Sequence, residues 1–350
     1  MGIIRALTAA AAAAAAVAPA MGAAPAHAAS SYVALGDSYS SGTGTRSYIS
    51  DGTSCQRSVY AYPSLIAASK NLTLNFRACS GATVADVTNT QLGALGASTT
   101  HVSISVGGND AGFADVLTEC AQPAWMSDCN GAIDDAQYVI NNVLPARLAT
   151  LYSSIRSKAP NARVTVVGYP RIFNGEDCNA ATWFSPTEES RLNATADLLN
   201  SRTATQAANK GFSFANPTSA FLGHAVCDDA EWLNGLSSPI SESYHPNKSG
   251  HSSGYAHAVS PSLVGTSFTT SSATLAKAKA GAESLATQQH SYAAQDASII
   301  PKVFTAPDLG SARANAAARA AGVDLRSRAS IDAADRVWSQ RQAEEWTGRH

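Results

Sequence analysis

Charge is scarce in this chain. Lys and Arg number 24 and Asp and Glu 26, only 14% of 350 residues, against roughly a quarter in an average soluble protein. At a formal net charge of −2 there is no basic excess, which argues against a nucleic-acid partner. No Cys-x₂-Cys pair occurs, so a paired-cysteine zinc site is disfavoured and neither metal nor cofactor is expected. After the first thirty residues no apolar run approaches the roughly 20 residues of a membrane span, and no integral membrane segment is expected.

What is present is apolar and orderly. Hydrophobic residues make up 45% of the chain, enough for a well-buried core. Residues 1–28 read as a secretory signal peptide. Arg5 gives the positive start, Ala6 to Ala20 the apolar stretch, and Ala26-His27-Ala28 the small-x-small site for cleavage before Ala29. Export places the six cysteines in an oxidising space. Six cysteines allow many pairings; proximity in sequence favours Cys55–Cys79, Cys120–Cys129 and Cys178–Cys227.

Short β-rich runs recur at Tyr32–Leu35, Leu72–Phe76, Val102–Val106, Val164–Val167 and Phe212–Phe214. Between them lie helical stretches, the clearest over Asp134–Ala159, where apolar residues follow a 3.6-residue period. Strands alternating with helices imply a parallel sheet covered on both faces, in one α/β domain over 29–258. Residues 259–350 read differently, as a Ser/Thr/Gly-rich linker from Pro261 to Ser272 and a helical or partly disordered extension. Helices are expected there over Leu275–Gln289, Ala312–Ala321 and Ile331–Trp346, the last with a weak stripe of Ile331, Ala334, Val337 and Trp338.

Three strand ends carry polar, glycine-containing turns: Gly36-Asp37-Ser38-Tyr39, Cys79-Ser80-Gly81-Ala82 and Gly107-Gly108-Asn109-Asp110. Ligands of open parallel sheets bind at the carboxyl ends of the strands, so the three turns converge. Ser38 can present Oγ as a nucleophile, and its own N–H, Gly81 and Asn109 can form an oxyanion hole. The base is expected late in the chain, in Glu242-Ser243-Tyr244-His245-Pro246, where the His245 imidazole can take the Ser38 proton.

These four ordered blocks resemble those of the SGNH (GDSL-type) hydrolases, and more closely the secreted lipases and esterases of actinomycetes, over about two thirds of the chain. The resemblance implies a flavodoxin-like three-layer α/β/α sandwich with a five-stranded parallel sheet. It implies metal-free hydrolysis of carboxylic esters, with Ser38 as nucleophile, His245 as base and Ser38, Gly81 and Asn109 as oxyanion hole. It also supports pairing of neighbouring cysteines. One position departs from the family, which usually has Asp three residues before the histidine; here it is Glu242. Either the Glu242 side chain or the Ser243 backbone carbonyl can orient His245, and the sequence leaves the two open.

Two other patterns are weaker. Gly250-His251-Ser252-Ser253-Gly254 fits a G-x-S-x-G nucleophile elbow but lacks the preceding strand and the downstream acid and histidine. His245, His251 and His257 step by six, which shares no helix face, so a solvated loop is expected there. The substrate expected is a lipid or small-alcohol ester, and the protein is expected to be a monomeric secreted lipase or esterase. Phospholipase A-type activity, deacetylation of acetylxylan, and a binding module on an inactive hydrolase fold are the alternatives.

Overall fold

A computed structural model describes residues 1–3 and 30–349; the signal-peptide features from Arg5 to Ala28 lie outside the described residues. In chain order the elements run β1 (Ser31–Gly36), α1 (Ser38–Ser41), α2 (Tyr62–Lys70), β2 (Thr73–Phe76), α3 (Val84–Asp86), β3 (Thr99–Ser105), α4 (Phe113–Cys120), α5 (Cys129–Asn142), α6 (Leu144–Lys158), β4 (Arg163–Val167), α7 (Pro186–Asn209) and β5 (Ser213–Ala215). The chain continues through α8 (Ala256–Val264), α9 (Ser272–Ala280), α10 (Ala282–His290), α11 (Ala293–Asp296), α12 (Ala312–Ala321) and α13 (Arg328–Arg349).

The five strands form one sheet in the order β2-β1-β3-β4-β5, every neighbouring pair parallel. This is the flavodoxin-like order, whose connections reverse direction between β1 and β3 and open a crevice at the carboxyl ends of those two strands. Strands covered on both faces read as apolar runs; Tyr32, Val33, Ala34 and Leu35 of β1 are all buried. β3 is a different case, because Val102 and Ile104 alternate with the equally buried Ser103 and Ser105. A buried hydroxyl is costly unless it is hydrogen-bonded. Ser103 Oγ meets the Tyr32 hydroxyl at 2.7 Å and Ser105 Oγ meets Ser40 Oγ at 2.7 Å.

The three disulfides join Cys55–Cys79, Cys120–Cys129 and Cys178–Cys227, the neighbour pairing favoured by sequence. The single helix expected over Asp134–Ala159 is instead two, broken at Val143 between α5 and α6. Pro145 has no N–H to continue the ladder and its ring crowds the carbonyl four residues back, at Asn141 in the last turn of α5. Pro261 also differs from expectation, lying inside α8, which closes on Gly265 in the left-handed region. The presumed solvated loop around His251 is a π-helical turn (Gly250–Tyr255) leading into α8. His251 is fully buried there, against Tyr62 and Tyr255, and burial lowers its pKa to about 3.

The C-terminal helices pack against the α/β core. Ile331 and Ala334 join Trp125 and Trp183 in a small second cluster, whereas Val337 and Trp338 of the expected stripe are exposed. Deeper in, Asp296 at the end of α11 sits between two fully buried arginines. Arg57 Nη2 and Arg77 Nη2 each reach one of its carboxylate oxygens at 2.7 Å. Asp51 takes the other face of Arg57 at 2.8 Å, and the Tyr292 ring covers Arg77.

Candidate active site

The turn leaving β1 builds the first part of the site. Gly36 has φ 120°, and a Cβ there would fall 2.3 Å from the Ser105 carbonyl oxygen, so only glycine lets β1 run this close to β3. Asp37 then caps the short helix α1, its side chain accepting from the Tyr39 N–H at 3.1 Å. Ser38 is the first residue of that helix, set with its Oγ 2.9 Å from His245 Nε2. The other ring nitrogen, Nδ1, lies 2.9 Å from the Ser243 carbonyl oxygen. A carbonyl can only accept, so Nδ1 carries the proton and Nε2 is left as the acceptor facing Ser38.

Sequence alone left Glu242 and Ser243 open as the partner of His245. The Glu242 carboxylate points elsewhere: it accepts from the Tyr48 hydroxyl at 2.5 Å and faces Arg46 Nε at 3.3 Å. Burial depresses the His245 pKa to about 4, only partly opposed by the Ser243 carbonyl. The imidazole is therefore neutral across the neutral range, as a base must be.

Gly81 and Asn109 come to the same spot from the turns after β2 and β3. Gly81 has φ 85°, a left-handed conformation that a side chain would strain. Among the described residues the Gly81 N–H has no hydrogen-bond acceptor, so it remains available. Asn109 Nδ2 donates one proton to the Ala82 carbonyl at 3.0 Å, which fixes the amide and leaves its second proton free. Asp110 links the two turns, accepting from the Val84 N–H at 2.9 Å and from Arg147 at 3.2 Å.

Two residues given no role by the sequence belong to this arrangement, Asp37 from the first block and Tyr169. Asp37 is buried, and its carboxylate accepts from Ser105 Oγ at 2.6 Å and from the Tyr169 hydroxyl at 2.5 Å. Burial outweighs these donors and raises its pKa to about 6. Tyr169 follows β4 by two residues; the strand-end rule that found the other turns could have flagged it, but a tyrosine before a proline looks unremarkable. The decoy elbow residue Ser252 sits in the π-helical turn, away from any strand end.

Around Ser38 opens a cavity of about 400 Å³, within the range of small-ligand pockets. Its walls are mainly apolar, with Phe113 and Leu117 of α4, Ile172, Leu199 of α7, and Phe304 from the C-terminal extension. Such a site can hold a hydrocarbon chain beside a serine and a neutral imidazole, with Gly81 and Asn109 lining the same cavity.

Residues 34–252 match the GDSL-like Lipase/Acylhydrolase family. The chain is 46% identical over 250 residues to Lipase 1 of Streptomyces coelicolor, spanning 71% of this chain and 91% of that one. Among solved structures it is similar to the extracellular lipase of Streptomyces rimosus, at 43% identity and TM-score 0.64, over 67% of this chain and 100% of the other. It is equally similar to phospholipase A1 of Streptomyces albidoflavus, at 42% identity, TM-score 0.64 and the same coverage.

Proposed function

Because the chain belongs to the GDSL-like lipase/acylhydrolase family and is a carboxylic-ester hydrolase, we propose that it is secreted, works as a monomer, and cleaves acyl esters of lipids from a site built on Ser38 and His245. The observation that carries this reading is His245, whose two ring nitrogens lie 2.9 Å from Ser38 Oγ and 2.9 Å from the Ser243 carbonyl. Secretion is supported by the leader sequence and by three disulfides, a bond type of oxidising compartments. Among the described residues no helix is long and apolar enough to cross a membrane.

In this reaction Ser38 Oγ attacks the ester carbonyl carbon and passes its proton to His245 Nε2. The resulting oxyanion is held by the N–H groups of Ser38 and Gly81 and by Asn109 Nδ2. The bond to the alcohol oxygen then breaks, and His245 protonates the departing alkoxide. Water attacks the acyl-serine with His245 again as base, releasing the acid and restoring Ser38. The imidazolium that forms twice in this cycle is oriented by the Ser243 carbonyl, with Glu242 serving the loop rather than the ring.

Phospholipase A-type activity is the second reading, favoured by the equal likeness to a phospholipase A1. Acetylxylan deacetylation fits less well, since the apolar walls offer little to a carbohydrate. Assay of wild type and Ser38→Ala on p-nitrophenyl esters, triacylglycerol, diacyl phospholipid and acetylated xylan tests all of these. The expected result is turnover of acyl-chain esters by wild type alone. Activity confined to xylan, or retained by the variant, overturns the reading.

A further inference from the structure

The family match ends at residue 252, yet the cavity beside Ser38 is lined by Pro301, Lys302, Val303 and Phe304, nearly fifty residues further on. We propose that this strap from the C-terminal extension is the specificity-determining wall of the ester site, fixing the length and bulk of the acyl chain it accepts. The inference rests on the ester-hydrolase reading of Ser38 and deepens it.

The strap is tied at several points. Upstream, Asp296 is clamped between Arg57 and Arg77, and Ile299 is buried in the core. The strap then passes over Gly81, with Pro301 Cα only 2.4 Å from where a Gly81 Cβ would lie. Lys302 pairs with Asp115, and the Thr305 N–H donates to Thr118 Oγ1 at 2.9 Å, both partners on α4. Phe304 is buried edge-on against Tyr244, ring centroids 4.9 Å apart. The segment thus spans the crevice from the oxyanion turn to the loop that carries His245.

Its chemistry suits a hydrocarbon chain. Between the two anchors the cavity-lining groups are a proline ring, a valine and a phenylalanine, while the Lys302 ammonium is turned to Asp115. Phe113, Leu117 and Ile172 add to the apolar lining. An acyl chain bound beside Ser38 lies along this apolar lining, where the strap's side chains limit its length and bulk. Val303 lines the cavity yet is 40% exposed and outside the buried core, so a larger side chain there reaches into the cavity without removing a core contact.

The test uses the full-length protein and the kcat/KM ratio for p-nitrophenyl octanoate over p-nitrophenyl acetate. Val303→Trp narrows the chain-bearing end, and the ratio is expected to fall about tenfold or more, the size of a steric mismatch in an apolar pocket. Phe304→Ala opens it, and the ratio for palmitate over octanoate is expected to rise. Should Phe304→Ala fail to fold, Val303→Trp still decides the matter. Ratios in Val303→Trp within twofold of wild type overturn the strap as a specificity wall. Failure of the underlying reading has a separate signature, since it shows as ester turnover that survives Ser38→Ala.

Discussion

The Tyr169 hydroxyl, carried by the turn after β4, donates to Asp37 Oδ2 at 2.5 Å beneath the nucleophile turn. Asp37 is thereby the meeting point of three structural elements, taking Ser105 of β3 and the Tyr39 N–H of α1 on its other oxygen. Asn at position 37 keeps one acceptor and loses the other, leaving a buried hydroxyl unpaired at a cost of about 1–3 kcal/mol. The loss depends on pH. Burial raises the Asp37 pKa to about 6, above its unfolded value near 3.9. The wild-type contribution is therefore fully present below about pH 4 and declines as pH rises through about 6. Urea midpoints of Asp37→Asn against wild type are expected to differ more at pH 4.5 than at pH 7.5. An equal gap at both pH values contradicts the assignment.

Glu242→Gln keeps an acceptor for Tyr48 and leaves the Ser243 carbonyl in place. Its kcat is expected to stay within about tenfold of wild type, whereas losing a true third member of a triad costs about 10⁴. A fall of that larger size assigns the orienting role to the Glu242 side chain.

The pH–rate profile follows from His245. Only the neutral ring accepts the Ser38 proton, and burial lowers its pKa to about 4, so kcat/KM is lost as pH falls through that value. An acid limb with its midpoint nearer 4 than the ordinary 6.5 is expected from kcat/KM measured between pH 3.5 and 8. A midpoint at 6.5 or higher contradicts the depressed value.

Asp296→Ala removes the counter-charge shared by Arg57 and Arg77. Breaking a buried ion pair from one side costs about 3–5 kcal/mol, so the variant is expected to melt well below wild type in a thermal scan. A shift of under a degree means the two guanidinium groups find other partners.

Reduction of Cys55–Cys79 frees the segment carrying Arg57 from the turn carrying Gly81. Loss of such a bridge costs about 2–5 kcal/mol in small secreted domains. A Cys55→Ala, Cys79→Ala double variant is expected to show a lower Tm and reduced ester turnover. An unchanged melt shows that packing alone holds the turn.

The parallel sheet was legible in the sequence because its strands are short apolar runs followed by polar turns, and all five appear within a few residues of where the pattern puts them. Ser38, Gly81, Asn109 and His245, weak signals singly, were legible as candidates because their four blocks occur in order, and all four line one cavity. The break at Val143 was missed because apolar periodicity runs through it unchanged and only Pro145 marks it. Asp37 stands in the first block and Tyr169 just past a strand, but their pairing is a contact across 132 positions that neither turn reveals alone. The strap was invisible for a stronger reason. Ile300-Pro301-Lys302-Val303-Phe304 has no periodicity, and its meaning comes from lying over Gly81.

The Asp296 clamp also sets an order of assembly. A polypeptide is made from its amino end, so Arg57 and Arg77 exist well before the carboxylate 219 positions beyond Arg77 that neutralises them. Until then Arg57 has only Asp51 as its carboxylate partner, and Arg77 lacks the one it holds in the folded chain. The carboxylate that completes this buried cluster in the first third of the chain is therefore supplied by the last third.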